Sequence, residues 1–264
     1  MAYLNEGAVS LAAANWDDAT GFAEDATLVI ASGSQTITTS LDQSTVTNGI
    51  DTLDILPGFT GRIGGSGYGS LKLRATSGLT NRVVYNAGGG SLYLQAAGSG
   101  TNTITTFWMS SLGSCYLTGG TFSDTVLGQG SLSVDSTTVL TDANFNGGSA
   151  IVQSGTAATS ITVSGGAHVL KRGAATISVY GRGRLTIDCG TAAITTLNIL
   201  NPEAEVTLLS SGTISTVNNW GRLIADKVAR TIALTAYKAG PAAVILDSPT
   251  YITRTTTRLG AKNL

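Results

Sequence analysis

A five-residue phrase returns down the middle of this chain: glycine, a small or polar residue, then apolar, any, apolar. It reads Gly69-Ser70-Leu71-Lys72-Leu73, Gly90-Ser91-Leu92-Tyr93-Leu94 and Gly113-Ser114-Cys115-Tyr116-Leu117, and its glycine recurs at Gly130, Gly148, Gly166, Gly183 and Gly221, with Ala204 in the same role. The spacings are 21, 23, 17, 18, 18, 17, 21 and 17 residues. A period near 20 that carries an alternating strand pattern is the signature of a solenoid, in which each repeat is one coil stacked on its neighbours.

With the glycine numbered zero, positions two and four fall on one strand face and positions one and three on the other. Position four runs Leu73, Leu94, Leu117, Val134, Val152, Leu170, Ile187, Leu208, Ala225, and position two is apolar except at His168. These columns are expected to point inward and to stack coil on coil. A second strand precedes each glycine, marked by Phe107 and Met109, Ile161 and Val163, Ile177 and Val179, and Leu197 and Ile199. The expected fold is all-β: a single-stranded parallel β-helix, or β-solenoid, of 8–10 coils with capped ends. The period also fits left-handed hexapeptide helices, but loop lengths vary between repeats, which favours a right-handed coil.

Composition agrees. Only 12% of the 264 residues are charged and 34 are glycine, which is poor in helix formers and rich in corner residues. Hydrophobic residues at 42% are enough to bury a core, so disorder is not expected. The phrase divides the chain into an N-terminal cap with first strands (1–55), the β-helix (56–225) and a C-terminal cap or partner-contacting arm (226–264). Residues 1–65 carry eight acids against Arg62, whereas 226–264 carry six basic residues against Asp226 and Asp247, so the two ends are expected to face different neighbours. Six basic residues over 39 positions do not make a nucleic-acid stripe. No apolar run reaches membrane-span length, and the opening residues lack a basic, apolar leader, so the reading is synthesis in a cytoplasm with neither membrane nor nucleic acid as partner. Cys115 and Cys189, four coils apart, are expected not to form a disulfide within a subunit.

Position three is the outward column that bears on function. It reads Lys72, Tyr93, Tyr116, Ser133, Ile151, Val169, Thr186, Thr207, Ile224. A stripe of that kind normally marks an interface, so Tyr93, Tyr116, Ile151, Val169 and Ile224 are the candidate oligomer contacts, with Arg254 and Arg258 of the last segment as candidate partner contacts. The competing explanation is that Thr, Val, Ile and Tyr simply suit strands.

Candidate chemistry is sparse. Asp124 and Asp142 lie 18 residues apart, one coil, which would match the carboxyl separation of a retaining glycosidase, but both occupy turn-like sequences. His168, the sole histidine, reads as a core residue with a hydrogen bond. The glycine run 64–69 lacks the lysine and helix of a phosphate loop. Trp16, Trp108 and Trp220 with the eight tyrosines are candidates for a sugar-binding track, but they are scattered in sequence rather than periodic. No catalytic, metal or cofactor residue is assigned.

The repeat, the cytoplasmic start, the low charge and the absence of a site together resemble virion proteins of tailed bacteriophages, whose trimeric β-helices decorate heads or form fibres and spikes. Asn15-Trp16-Asp17-Asp18 and Thr27-Leu28-Val29-Ile30 also look like the entry into the β-helices of bacterial surface proteins. The resemblance implies a non-enzymatic structural protein in the virion. The first expectation is a homotrimer that decorates or cements the capsid, bound to the major capsid protein or another virion protein. The alternatives are a receptor-binding fibre or adhesin domain for host-surface glycans and, third, a polysaccharide-degrading tailspike.

Overall fold

Alternating burial along each strand, with a turn between strands, winds the chain into coils. In the computed structural model parallel strands form an all-β solenoid of about eight turns, and no helix occurs among the described residues. Those residues are 1–5, 7–8, 17, 27–38, 50–65, 69–73, 82–97, 103–190, 194–225, 232–246 and 252–256. The chain divides into two compact units, Met1–Thr141 and Asp142–Leu264.

In the second unit the phrase strands Ser149–Val152, Ala167–Leu170, Arg184–Ile187, Glu205–Leu208, Arg222–Ile224 and Val244–Leu246 pair one after another, parallel and without a register shift. The column Ala150, His168, Leu185, Val206, Leu223, Ile245 follows directly from that register. The second strands, Ala158–Val163, Ala174–Val179, Ile194–Ile199, Gly212–Asn219, Ile232–Ala239 and Ile252–Thr256, form their own ladder. Parallel pairing thus continues past residue 225.

The first unit repeats the plan. Thr27–Gly33, Thr52–Phe59, Arg82–Tyr85 and Thr103–Thr118 make one ladder; Thr36–Ile37, Arg62–Ile63 and Ser91–Ala96 lead into the second half of Thr103–Thr118 for the other. The phrase at Gly69 sits differently from its alignment. Leu71 pairs with Leu94, two residues beyond the expected partner, while Ile63 pairs with Leu92. The row before Gly90 is therefore Gly61-Arg62-Ile63. The chain leaves that row through Gly64 and Gly65, both at positive φ, and rejoins it at Leu71–Leu73 against the far end of Ser91–Ala96.

Positions two and four of every phrase are buried, from Leu71 and Leu73 to Leu223 and Ala225. Burying one such Leu, Ile or Val side chain stabilises by about 1.5–3 kcal/mol, and each coil places two of them. The glycine has a separate cause. Its carbonyl accepts the position-one amide of the next coil, as from Ser91 to Gly61 (3.1 Å), Ser114 to Gly90 (2.9 Å) and Arg184 to Gly166 (3.0 Å). A Cβ on Gly90 or Gly113 would lie under 3.0 Å from the oxygen of Gly61 or Gly90, the same oxygen that accepts the bond. Only glycine lets the coils close to hydrogen-bonding distance there.

Candidate interaction surface

The outward residues of the two units are described separately. In the first unit, Tyr93 and Tyr116 occupy neighbouring rows and stack, with ring centroids 4.3 Å apart and planes 10° from parallel. Arg62, from the preceding row, sets its guanidinium carbon 5.2 Å from the Tyr93 centroid. The column thus begins with a cation on an aromatic face. Lys72, expected there, pairs with Gln95 instead because of the two-residue offset. Ser133 follows Tyr116 on the other side.

In the second unit the column is Ile151, Val169, Thr186, Thr207, Ile224, Leu246. Ile151 is 45% exposed and Val169 half-buried, so both are available to a partner. Ile224 departs from the expectation: at 6% exposure between Thr207 and Leu246 it belongs to the buried set. Arg254 pairs in backbone register with Leu234, and Arg258 lies outside the described residues.

Position one beside this column carries charge. Arg184, Glu205 and Arg222 succeed one another, with Arg222 3.4 Å from Glu205, and at the adjoining corner Arg182 meets Glu203 at 2.9 Å. Both pairs face solvent, so they orient the surface and contribute little stability. Gly166, Ala167, Arg182, Arg184 and Glu203 line a shallow concavity on this face.

The other sequence-marked polar residues serve the fold. His168 is 2% exposed; its ring stacks on Phe145 at 4.9 Å and its Nε2 lies 2.7 Å from the Gly165 carbonyl. A carbonyl can only accept, so Nε2 carries the proton and Nδ1, which has no partner, is the bare nitrogen. Burial pulls its pKa below the ordinary value despite that bond. Asp142 accepts from the Ser160 hydroxyl one row on. Asp135 caps its own turn, taking bonds from the Thr137 and Thr138 amides and hydroxyls; burial pushes its pKa up, but these bonds outweigh it and hold the carboxyl below the usual range. Asp124 lies in the first unit and Asp142 in the second. Neither cysteine forms a disulfide; Cys115 is fully buried, which raises its thiol pKa, and Cys189 lies 3.3 Å from the Ser210 hydroxyl. Burial also pushes Tyr85 up to about 12.

Two features do not follow from the repeat phrase. Arg172 is 2% exposed, donating from Nε to the Gln153 carbonyl (2.7 Å) and from Nη1 to that of Thr156 (3.4 Å), which clasps that corner. The second is an exposed ridge, Tyr180, Leu200 and Trp220, one residue beyond the second strand in three successive coils. Their amides bond to the carbonyls of Val163, Val179 and Ile199, each one coil back, which fixes the three in one column.

The class defined by this geometry is a parallel β-solenoid with stacked outward ladders. Comparison with protein-family models, with curated proteins and with solved structures finds no match for the chain.

Proposed function

We propose that the chain is a non-enzymatic virion structural protein of a tailed bacteriophage, a homotrimer that decorates or cements the head through the major capsid protein or another virion protein. The observation that carries the reading is the outward column of the second unit, where Ile151 is 45% exposed beside Val169 and Leu246 is exposed at the other end. Such a column suits burial against sister chains better than contact with water.

Charge supports the same reading. Met1–Thr141 holds ten acidic and four basic residues, a net of −6, and Asp142–Leu264 holds six acidic and eleven basic, a net of +5. A basic unit and an acidic unit on one chain each attract a partner surface of the opposite sign. Two polar groups that the sequence marks for possible chemistry serve the fold instead: His168 bonds to the Gly165 carbonyl and Asp142 accepts from Ser160. Several contacts from one trimer then add through effective concentration, so modest individual affinities suffice to hold capsomers together.

Light scattering coupled to size exclusion tests the oligomer, and co-sedimentation with assembled heads tests the partner. The expected result is a trimer mass that falls to the monomer for the Ile151→Lys, Val169→Lys double variant with an unchanged far-UV spectrum, and loss of head binding with it. A monomeric wild type, or a wild type that stays in the supernatant when heads pellet, defeats the proposal.

A further inference from the structure

The ridge of Tyr180, Leu200 and Trp220 is distinct from the phrase strands, and its surroundings identify a ligand chemistry. The three side chains are 42%, 39% and 38% exposed. At the parallel strand spacing they rise about 4.8 Å per coil, which puts Tyr180 and Trp220 about 9.6 Å apart. Gly240 follows Trp220 in the column, and a Cβ there would collide with the indole. Glycine at that point leaves room for the indole.

Beside the ridge runs a polar ladder. Asn218 donates to the Asn198 side-chain oxygen at 2.8 Å, and Asn198 donates to the Ser178 hydroxyl at 3.1 Å. This uses one of the two N–H donors on each amide, and both asparagines are partly open to solvent. The next outward column is Thr176, Thr196, Thr216. From Ala158 to Trp220 these second-strand rows present hydroxyls, amides and rings but no charge, whereas the phrase rows carry Arg184, Glu205 and Arg222.

We infer that this face is a track for an uncharged, extended glycan, whose pyranose faces stack on Tyr180 and Trp220 and pack on Leu200 while its hydroxyls bond to Asn198 and Asn218. Two physical arguments select that occupant. The strands that flank the ridge offer hydroxyls and amides with no charge, the hydrogen-bonding partners that sugar hydroxyls take. The ridge's two rings, two coils apart, match alternate sugars of a β-1,4-linked chain, in which every second ring presents the same face. The inference stands independently of the position-three column and of the virion assignment.

The test uses the full chain with hexasaccharides of β-1,4-linked glucose and β-1,4-linked N-acetylglucosamine, and the α-1,4-linked glucose hexasaccharide as a curved control. Calorimetry is expected to show sub-millimolar binding of at least one β-linked chain and weaker binding of the control. Trp220→Ala and Tyr180→Ala should each weaken it by about tenfold or more, with unchanged far-UV spectra. Trp220→Phe keeps an aromatic platform and a folded core; it should retain calorimetric binding while losing the ligand-induced tryptophan fluorescence change. No binding of either β-linked hexasaccharide overturns the inference. So does binding that survives Trp220→Ala together with Tyr180→Ala, or a change in particle mass on Trp220→Ala, which would mean that another copy of the chain covers the ridge.

Discussion

Single atoms decide much at the residue scale. Gly90, at φ 75°, faces two penalties on gaining a Cβ, backbone strain and collision with the Gly61 carbonyl, whereas Gly190, at φ 67°, has nothing within 4 Å of a built Cβ. Gly190→Ala is therefore expected to cost about 1–2 kcal/mol of unfolding free energy, the left-handed strain alone. Gly90→Ala should cost about 3 kcal/mol or more, because the Ser91 to Gly61 bond must stretch as well. Urea denaturation of the two variants gives the difference, and equal losses would mean that the close approach of the coils carries no weight. His168 supplies a pH dependence. Its folded pKa lies below the unfolded value of about 6.5, so the unfolded chain binds the extra proton first and stability, whole above that value, is lost as pH falls through it. The urea midpoint of the wild type should drop between about pH 7.5 and pH 5.5, and His168→Leu, which matches Leu185 in the same column, should remove that part of the drop.

The unit of energy at the scale of elements is the column. Ile187 pairs with Leu170 and Leu208 and is fully buried, so Ile187→Ala should cost about 2–5 kcal/mol. Thr186, its outward neighbour, should cost under about 1 kcal/mol on the same change, since only strand preference is lost. Thermal or urea unfolding of the pair checks the inward and outward assignment; equal effects would contradict it. The inward columns were legible in the sequence because a glycine marks the start of each phrase and a period of two follows. Legibility fails where the marker does. Gly61-Arg62-Ile63 ends in Gly64-Gly65 instead of an apolar fourth position, and Val244-Ile245-Leu246 is led by Ala243. The ridge escaped for a different reason: its members differ in type, and the spacing drifts from 16 residues (Ser164 to Tyr180) to 20 (Tyr180 to Leu200) as corners change length. Backbone register, not residue identity, aligns them. Ile224 was misplaced because alternation gives the side of a strand on which a residue falls, not what surrounds it.

The whole molecule owes its stability to neighbours. Among the described strands each coil pairs with the one before and the one after, so stability is close to a sum of coil terms and neighbour terms. That economy also explains why the fold was readable and the function was not. A solenoid needs only a repeated inward pattern, which a sequence advertises, whereas that pattern places no constraint on its outward columns. Tyr93 and Tyr116, Ile151 and Val169, and the Tyr180 to Trp220 ridge are three such outward statements on one scaffold, and each can change without disturbing the inward columns. The excursion between Ile63 and Leu71 shows how such change is absorbed. Both flanks of that detour are held by the same strand, Ser91–Ala96, so residues can be gained or lost between them while every later coil keeps its place. In a lineage the detour would act as a point of growth, and in the laboratory as a splice site where a foreign peptide can be carried without renumbering the stack.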